Sequence, residues 1–94
     1  MTAEEKVLIE NARQGDSESF GKLYDQHAPR IYRFILVRTG DANDTQDLLH
    51  EVFLSAWKTM HTYQPQTNAY FTSWLYQIAR NRIIDYYRTI KPRV

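Results

Sequence analysis

Between Phe20 and Ile35 the apolar and aromatic residues recur at intervals of three and four: Phe20, Leu23, Tyr24, His27, Ile31, Phe34 and Ile35. That spacing lines one side of an α-helix and is foreign to the two-residue alternation of a half-buried strand. The same period runs through the rest of the chain. No strand signal, internal repeat or low-complexity tract interrupts it. The fold class this predicts is all-α, a compact bundle of about four helices joined by short turns and one loop.

The first helix runs from about Ala3 to Gln14. Thr2 and Glu5 are spaced as a capping box, Val7, Leu8 and Ala12 form its apolar side, and Gly15 ends it. Asp16 caps a second helix to about Thr39, which Gly40 stops. Pro29 falls inside this helix. It lacks an N–H and its ring crowds the preceding turn, so it is expected to kink the helix or split it in two. Asp41 to Asn43 form a turn, and Asn43 or Asp44 caps a third helix to about His61. The stretch MHTYQPQTNAY, residues 60–70, reads as a loop because Pro65 stands among polar residues. A fourth helix follows from about Ala69 to Ile90, with Pro92 beyond its end.

Ninety-four residues with three glycines and three prolines suit one small domain, spanning 1–94. The absence of cysteine excludes a disulfide framework and a thiolate metal site and fits a reducing, cytoplasmic setting. No apolar run approaches the roughly 20 residues that span a bilayer. The N-terminus, MTAEEKVLIENAR, has acids where a signal peptide has bases. Net charge is +1, but it is unevenly spread. Residues 1–60 carry seven basic and ten acidic side chains, and residues 61–94 carry five basic and one acidic. The C-terminal part is therefore the part suited to an anion.

Two helices carry more than a core needs. In DLLHEVFLSAWK, residues 47–58, Leu49, Val52, Phe53, Ala56 and, further on, Met60 share one side at about 100° per residue. Asp47, Glu51 and Lys58 lie opposite, but Leu54 lies among them, edged by His50 and Trp57. An apolar residue between carboxylates resembles a protein-binding patch. A Trp57 half-buried against a neighbouring helix, beside one stray surface leucine, describes the same residues equally well.

In YFTSWLYQIARNRIIDYYR, residues 70–88, six rings and three arginines share one helix with a single acid. Phe71, Leu75, Ile78, Ala79 and Tyr86 make an apolar side, into which Arg82 also falls. Tyr70, Trp74, Gln77, Asn81 and Arg88 line a second side, and Tyr76, Arg80 and Tyr87 a third. Rings that stack on bases, amides that bond base edges and guanidiniums that neutralise phosphate suit unpaired nucleic acid. The competing description puts Trp74 and Tyr76 in the core with the arginines as its rim. Asp85 is placed to pair with Arg82 or Arg88 three residues away. His27, His50 and His61 are not at ligand spacing, and no HExxH pair, phosphate-cradling glycine loop, triad or dyad is present. No metal, cofactor or catalytic residue is expected, and the chain does not read as an enzyme.

Taken in order, DLLHEVFLSAWK, a polar loop with a proline, and FTSWLYQIARNRIIDYYR resemble region 2 of bacterial RNA polymerase sigma factors, in particular the extracytoplasmic-function (ECF) group. LYDQHAPRIYRFILVRTGDANDTQDL is similar to the preceding part of the same domain, so the resemblance runs from about Asp16 to Arg88. It implies that the third helix docks on the clamp coiled coil of the polymerase's largest subunit through Asp47, His50, Glu51 and Leu54, with Trp57 at the edge. The family often has Gln where this chain has His50. It implies that the fourth helix and the loop before it read and hold open the minus-ten promoter element. Asn81 is the foremost base-contacting residue in that scheme, with Tyr70, Trp74, Tyr76, Gln77, Arg80 and Arg88 around it. The loop, with His61, Thr62, Tyr63, Gln64, Gln66, Thr67 and Asn68, would pocket an extruded base of the non-template strand. Many members are held by an anti-sigma factor, which makes such a protein a candidate partner. A complete factor adds a linker and a helix-turn-helix domain, so a chain ending in IKPRV is expected to be one domain of a longer, monomeric protein. The alternative is a helical protein–protein adaptor without DNA binding. A duplex-binding repressor is disfavoured, because a long loop rather than a short turn separates the last two helices.

Overall fold

The computed structural model describes residues 2–65 and 70–90, and four α-helices account for most of them: α1 (Ala3–Arg13), α2 (Ser17–Thr39), α3 (Ala42–Thr59) and α4 (Phe71–Ile90). A 3₁₀ turn, Met60–Thr62, extends the end of α3. The all-α class predicted from the spacing is the class observed. Helix α2 packs on α1, α3 and α4, and α3 packs on α4. Among the described residues no helix is long and apolar enough to cross a membrane.

The α2 stripe is buried as its spacing requires. Leu23, Ile31 and Ile35 are fully enclosed, and Phe20 and His27 nearly so. Of the kink or split expected at Pro29, the split does not occur; α2 runs unbroken over 23 residues. Pro29 cannot supply the N–H that Asp25 would normally receive, but both residues are exposed. Water can hydrate that carbonyl, and the buried flanks at His27 and Ile31 hold the helix on either side of the proline.

Helix α1 departs from its expected orientation by one residue. Ile9 and Ala12 are buried and Leu8 partly so, whereas Val7 is exposed. The capping box is half-formed. The backbone N–H of Glu5 donates to Thr2 Oγ1 at 3.1 Å. The Glu5 carboxylate instead accepts from His27 Nε2 at 2.6 Å. Residues 5, 9 and 12 therefore face α2, and the tether to His27 sets that rotation.

The turn between α2 and α3 is held by local polar bonds. Gly40 adopts the left-handed conformation, φ 70°, and its N–H donates to Leu36 O. The cap of α3 is Asp41, not Asn43 or Asp44: its carboxylate accepts from the Asp44 N–H at 2.8 Å. The left-handed glycine brings the chain round one residue before the helix, so Asp41 is the residue with extended backbone at its mouth. Buried Thr45 shares a hydroxyl hydrogen bond of 2.8 Å with Thr39. At the other helix start, Asp16 occupies the capping position of α2, yet its carboxylate accepts from the Ser19 hydroxyl at 2.5 Å rather than from a backbone N–H.

Replacing Asp41 by Ala should cost about 1 kcal/mol of stability, because it leaves a helix N–H without its acceptor. Asn43→Ala, outside the cap, should leave the urea midpoint unchanged. Equal losses at both positions would contradict the Asp41 cap.

Candidate nucleic-acid interface

Every fourth residue of α4 from its start is buried: Phe71, Leu75, Ala79 and Ile83. Ile78 and Tyr86 are half-buried beside them. Arg82 does lie on this side, as its place in the sequence suggests. Its stem covers apolar surface while its guanidinium reaches Asp85 at 3.7 Å. Arg88 approaches the same carboxylate at 3.8 Å, so Asp85 meets both arginines.

The remaining rings divide between packing and surface. Tyr70 is 61% exposed, and Gln77, Asn81 and Arg88 are exposed on the same side. Trp74 is intermediate, its ring tilted against Tyr63 at 5.2 Å and Phe71 at 5.7 Å. Tyr76 is half-buried, edge-on to Phe34 of α2 at 4.8 Å. Arg80 is exposed and Tyr87 partly so. Thus the two descriptions of this helix each hold for different residues. Trp74 and Tyr76 are partly core, while Tyr70, Gln77, Arg80, Asn81 and Arg88 form an open polar and aromatic face.

Two adjoining hollows lie where α4 meets α2. One, of about 410 Å³, is lined by Gln26, His27 and Arg30 of α2, by residues 70–73 and by Glu5. The other, of about 480 Å³, is lined by Phe34 of α2 and by Ser73, Tyr76, Gln77 and Arg80 of α4. Ser73 belongs to both. The α2 wall was not singled out from the sequence, because Arg30 was counted within an N-terminal part that is acidic overall. The usable signal was a basic and an amide residue, Arg30 and Gln26, four apart beside the buried stripe.

On α3 the core takes Leu48, Leu49, Val52, Phe53 and Ala56. Asp47, His50 and Glu51 are exposed, and Leu54 is 54% exposed among them. Trp57 is intermediate and leans on Phe20 of α2, ring centroids 5.0 Å apart. It therefore borders this face rather than standing on it.

The loop residues sort differently from expectation. His61 and Thr62 are exposed on the 3₁₀ turn, and Gln64 is exposed just after it. Tyr63 is 1% exposed and lies edge-on to Phe71 at 5.6 Å, so its ring belongs to the core and not to a free pocket wall. Burial, and then the nearby Glu5 charge, raise its hydroxyl pKa above the usual value. Gln66, Thr67 and Asn68 lie outside the described residues. Among the described residues there is no group of three or more His, Cys, Asp or Glu able to hold a metal ion.

Two tyrosines fix the far end of α4. Tyr86 donates its hydroxyl to Asp44 Oδ2 at 2.7 Å, and Tyr87 donates to the backbone carbonyl of Arg38. The exposed face of α4 is thereby held in a set orientation to α2 and α3.

The sigma-70 region 2 family model matches residues 23–93. The chain belongs to that family, whose members are transcription-initiation factors and not catalysts. It is similar to the ECF RNA polymerase sigma factor BldN of Streptomyces coelicolor, 37% identical over 87 residues that cover 93% of this chain and 33% of BldN. SigX of Bacillus subtilis is 35% identical over 80 residues, 82% of this chain and 40% of SigX. The chain thus spans less than half the length of these curated relatives. An engineered region 2 of sigmaE, solved by NMR in complex with GTAAAA, has the same fold, with a TM-score of 0.85 at 24% identity over 100% of this chain and 98% of that one. The structure of an RsbN–BldN complex matches with a TM-score of 0.77 at 37% identity, over 86% of this chain and 58% of that one.

The Tyr86–Asp44 bond has a pH signature. Accepting the phenolic proton, together with burial, pushes the Tyr86 pKa up from 10.0 to about 12. Its contribution to stability is complete below about pH 10 and is lost as the pH rises towards about 12, where the folded-state phenol ionises. Ultraviolet titration should find late-ionising tyrosines, of which the Tyr86 component disappears in Tyr86→Phe while that of buried Tyr63 remains, and the variant should lose less stability than the parent across that interval.

Proposed function

We propose that this chain is the domain of an ECF sigma factor that recognises the minus-ten promoter element as a melted strand while docked on the polymerase clamp coiled coil. The observation that carries the DNA half is the open face of α4. Tyr70, Gln77, Asn81 and Arg88 stand exposed together while a separate four-residue repeat fills the core. Among the described residues the side chains of Asn81 and Arg80 make no hydrogen bond or ion pair, so their donors are available to a base edge or a phosphate. The sigmaE relative's complex with GTAAAA supports the same reading. Unstacking a base costs a few kcal/mol, which stacking on Tyr70 and edge contacts from Asn81 would offset.

The polymerase half rests on α3. Asp47 and Glu51 flank exposed Leu54, with His50 alongside and Trp57 bordering it. Carboxylates around an apolar anchor suit a basic, partly apolar coiled-coil surface. By analogy with the RsbN–BldN complex, an anti-sigma factor is a further partner. We read the chain as one monomeric domain of a longer cytoplasmic factor, with loop residues His61, Thr62, Gln64, Gln66, Thr67 and Asn68 near the extruded base.

The test is anisotropy binding of the domain to labelled single strands of varied sequence, alone and with a clamp coiled-coil fragment. Asn81→Ala should weaken binding to the preferred strand about tenfold and relax its sequence preference. Glu51→Ala should leave DNA binding intact and weaken the fragment by roughly 0.2–1 kcal/mol. Binding to the fragment without any DNA preference would favour the adaptor reading instead.

A further inference from the structure

We propose that α2 is the second wall of the DNA track, with Arg30 holding a backbone phosphate of a single strand seated between α2 and α4. This rests on the region 2 reading above and extends its footprint to a helix outside the recognition face.

Three observations lead there. First, the two hollows share Ser73 and so lie side by side along the start of α4, lined between them by residues from Tyr70 to Arg80. Second, their two guanidiniums are unpaired. Arg30 is exposed, and among the described residues no hydrogen bond or ion pair engages it or Arg80. The single acid in the lining, Glu5, is committed to His27 at 2.6 Å. Third, the lining is wrong for an apolar helix and right for a nucleotide chain. It offers guanidinium from both walls, the amides of Gln26 and Gln77 and the hydroxyl of Ser73, with the exposed ring of Tyr70 at one end. Cations tracking a backbone beside a stacking platform are the pattern that grips unpaired strands. A guanidinium matches phosphate geometry and a lone ammonium matches its charge, so Arg30 and a lysine in its place can both neutralise one phosphate.

The experiment is the salt dependence of anisotropy binding to a labelled single strand carrying GTAAAA and to an oligothymidine of equal length. For single strands, each neutralised phosphate contributes about 0.7 to the slope of log K against log salt. Arg30→Gln should lower the slope by about 0.7 on both strands and leave their ratio of affinities unchanged. Arg30→Lys should restore the slope. Lys58→Gln, which removes an exposed charge on α3, should leave it as in the parent. A parent-like slope in Arg30→Gln, or an equal fall in Lys58→Gln, would overturn the proposal while leaving the α4 reading intact, provided Asn81→Ala still relaxes sequence preference. If the parent chain binds neither strand, the region 2 reading fails and the α2 wall fails with it.

Discussion

Tyr63 and Phe71 stand on either side of the long connection between α3 and α4, and their rings meet edge to face at 5.6 Å inside the core. Trp74 leans on both, and His27 closes on Phe71 at 5.3 Å while its Nε2 holds Glu5 of α1. Four of the chain's segments therefore converge on one aromatic cluster. Large rings bury much apolar area with few rotatable bonds, and their preferred edge contacts fix orientation as well as distance. The start of α4, and with it the direction of the exposed face, follows from this packing. Without it the loop would have no fixed ends, and Tyr70 and Ser73 would have no fixed relation to α2.

Much of this was legible in the residues because burial leaves a period. The α2 stripe and the α3 core follow the three-and-four spacing almost residue for residue, and the left-handed stop at Gly40 is where glycine should be. The failures have local causes. Tyr63 is one ring in a polar stretch beside Pro65, where no period distinguishes a buried residue from a loop residue. Asn43 or Asp44 was expected to cap α3, but the turn at Gly40 leaves Asp41 at its mouth. Pro29 does not split α2, and it and Asp25, whose carbonyl it leaves without an N–H, are both exposed residues. Val7, expected on the apolar side of α1, is exposed while Ile9 is buried, an orientation that goes with the Glu5–His27 tether, of which hydrophobic spacing carries no record.

The candidate interface was only half legible for a different reason. A helical wheel treats each helix alone, and so found the α4 face. The hollows exist only once α2 lies beside it. Counting charge along the chain made the first 60 residues look unsuited to an anion. In space, Arg30 lines a hollow against α4 while the acids of α3, Asp47 and Glu51, stand exposed on another helix.

The paired tyrosines near the end of α4 have a mechanical consequence. Tyr86 is bonded to the first turn of α3 and Tyr87 to the last turn of α2. These polar links bypass the apolar interior and join the helix with the exposed acids to the helix with the exposed amides and arginines. A load on the start of α3 reaches α4 through a hydroxyl and a carboxylate, a stiff and directional strut, instead of through side chains that can slide past one another. The two faces are consequently joined at this end of α4 by polar bonds as well as through the packed interior.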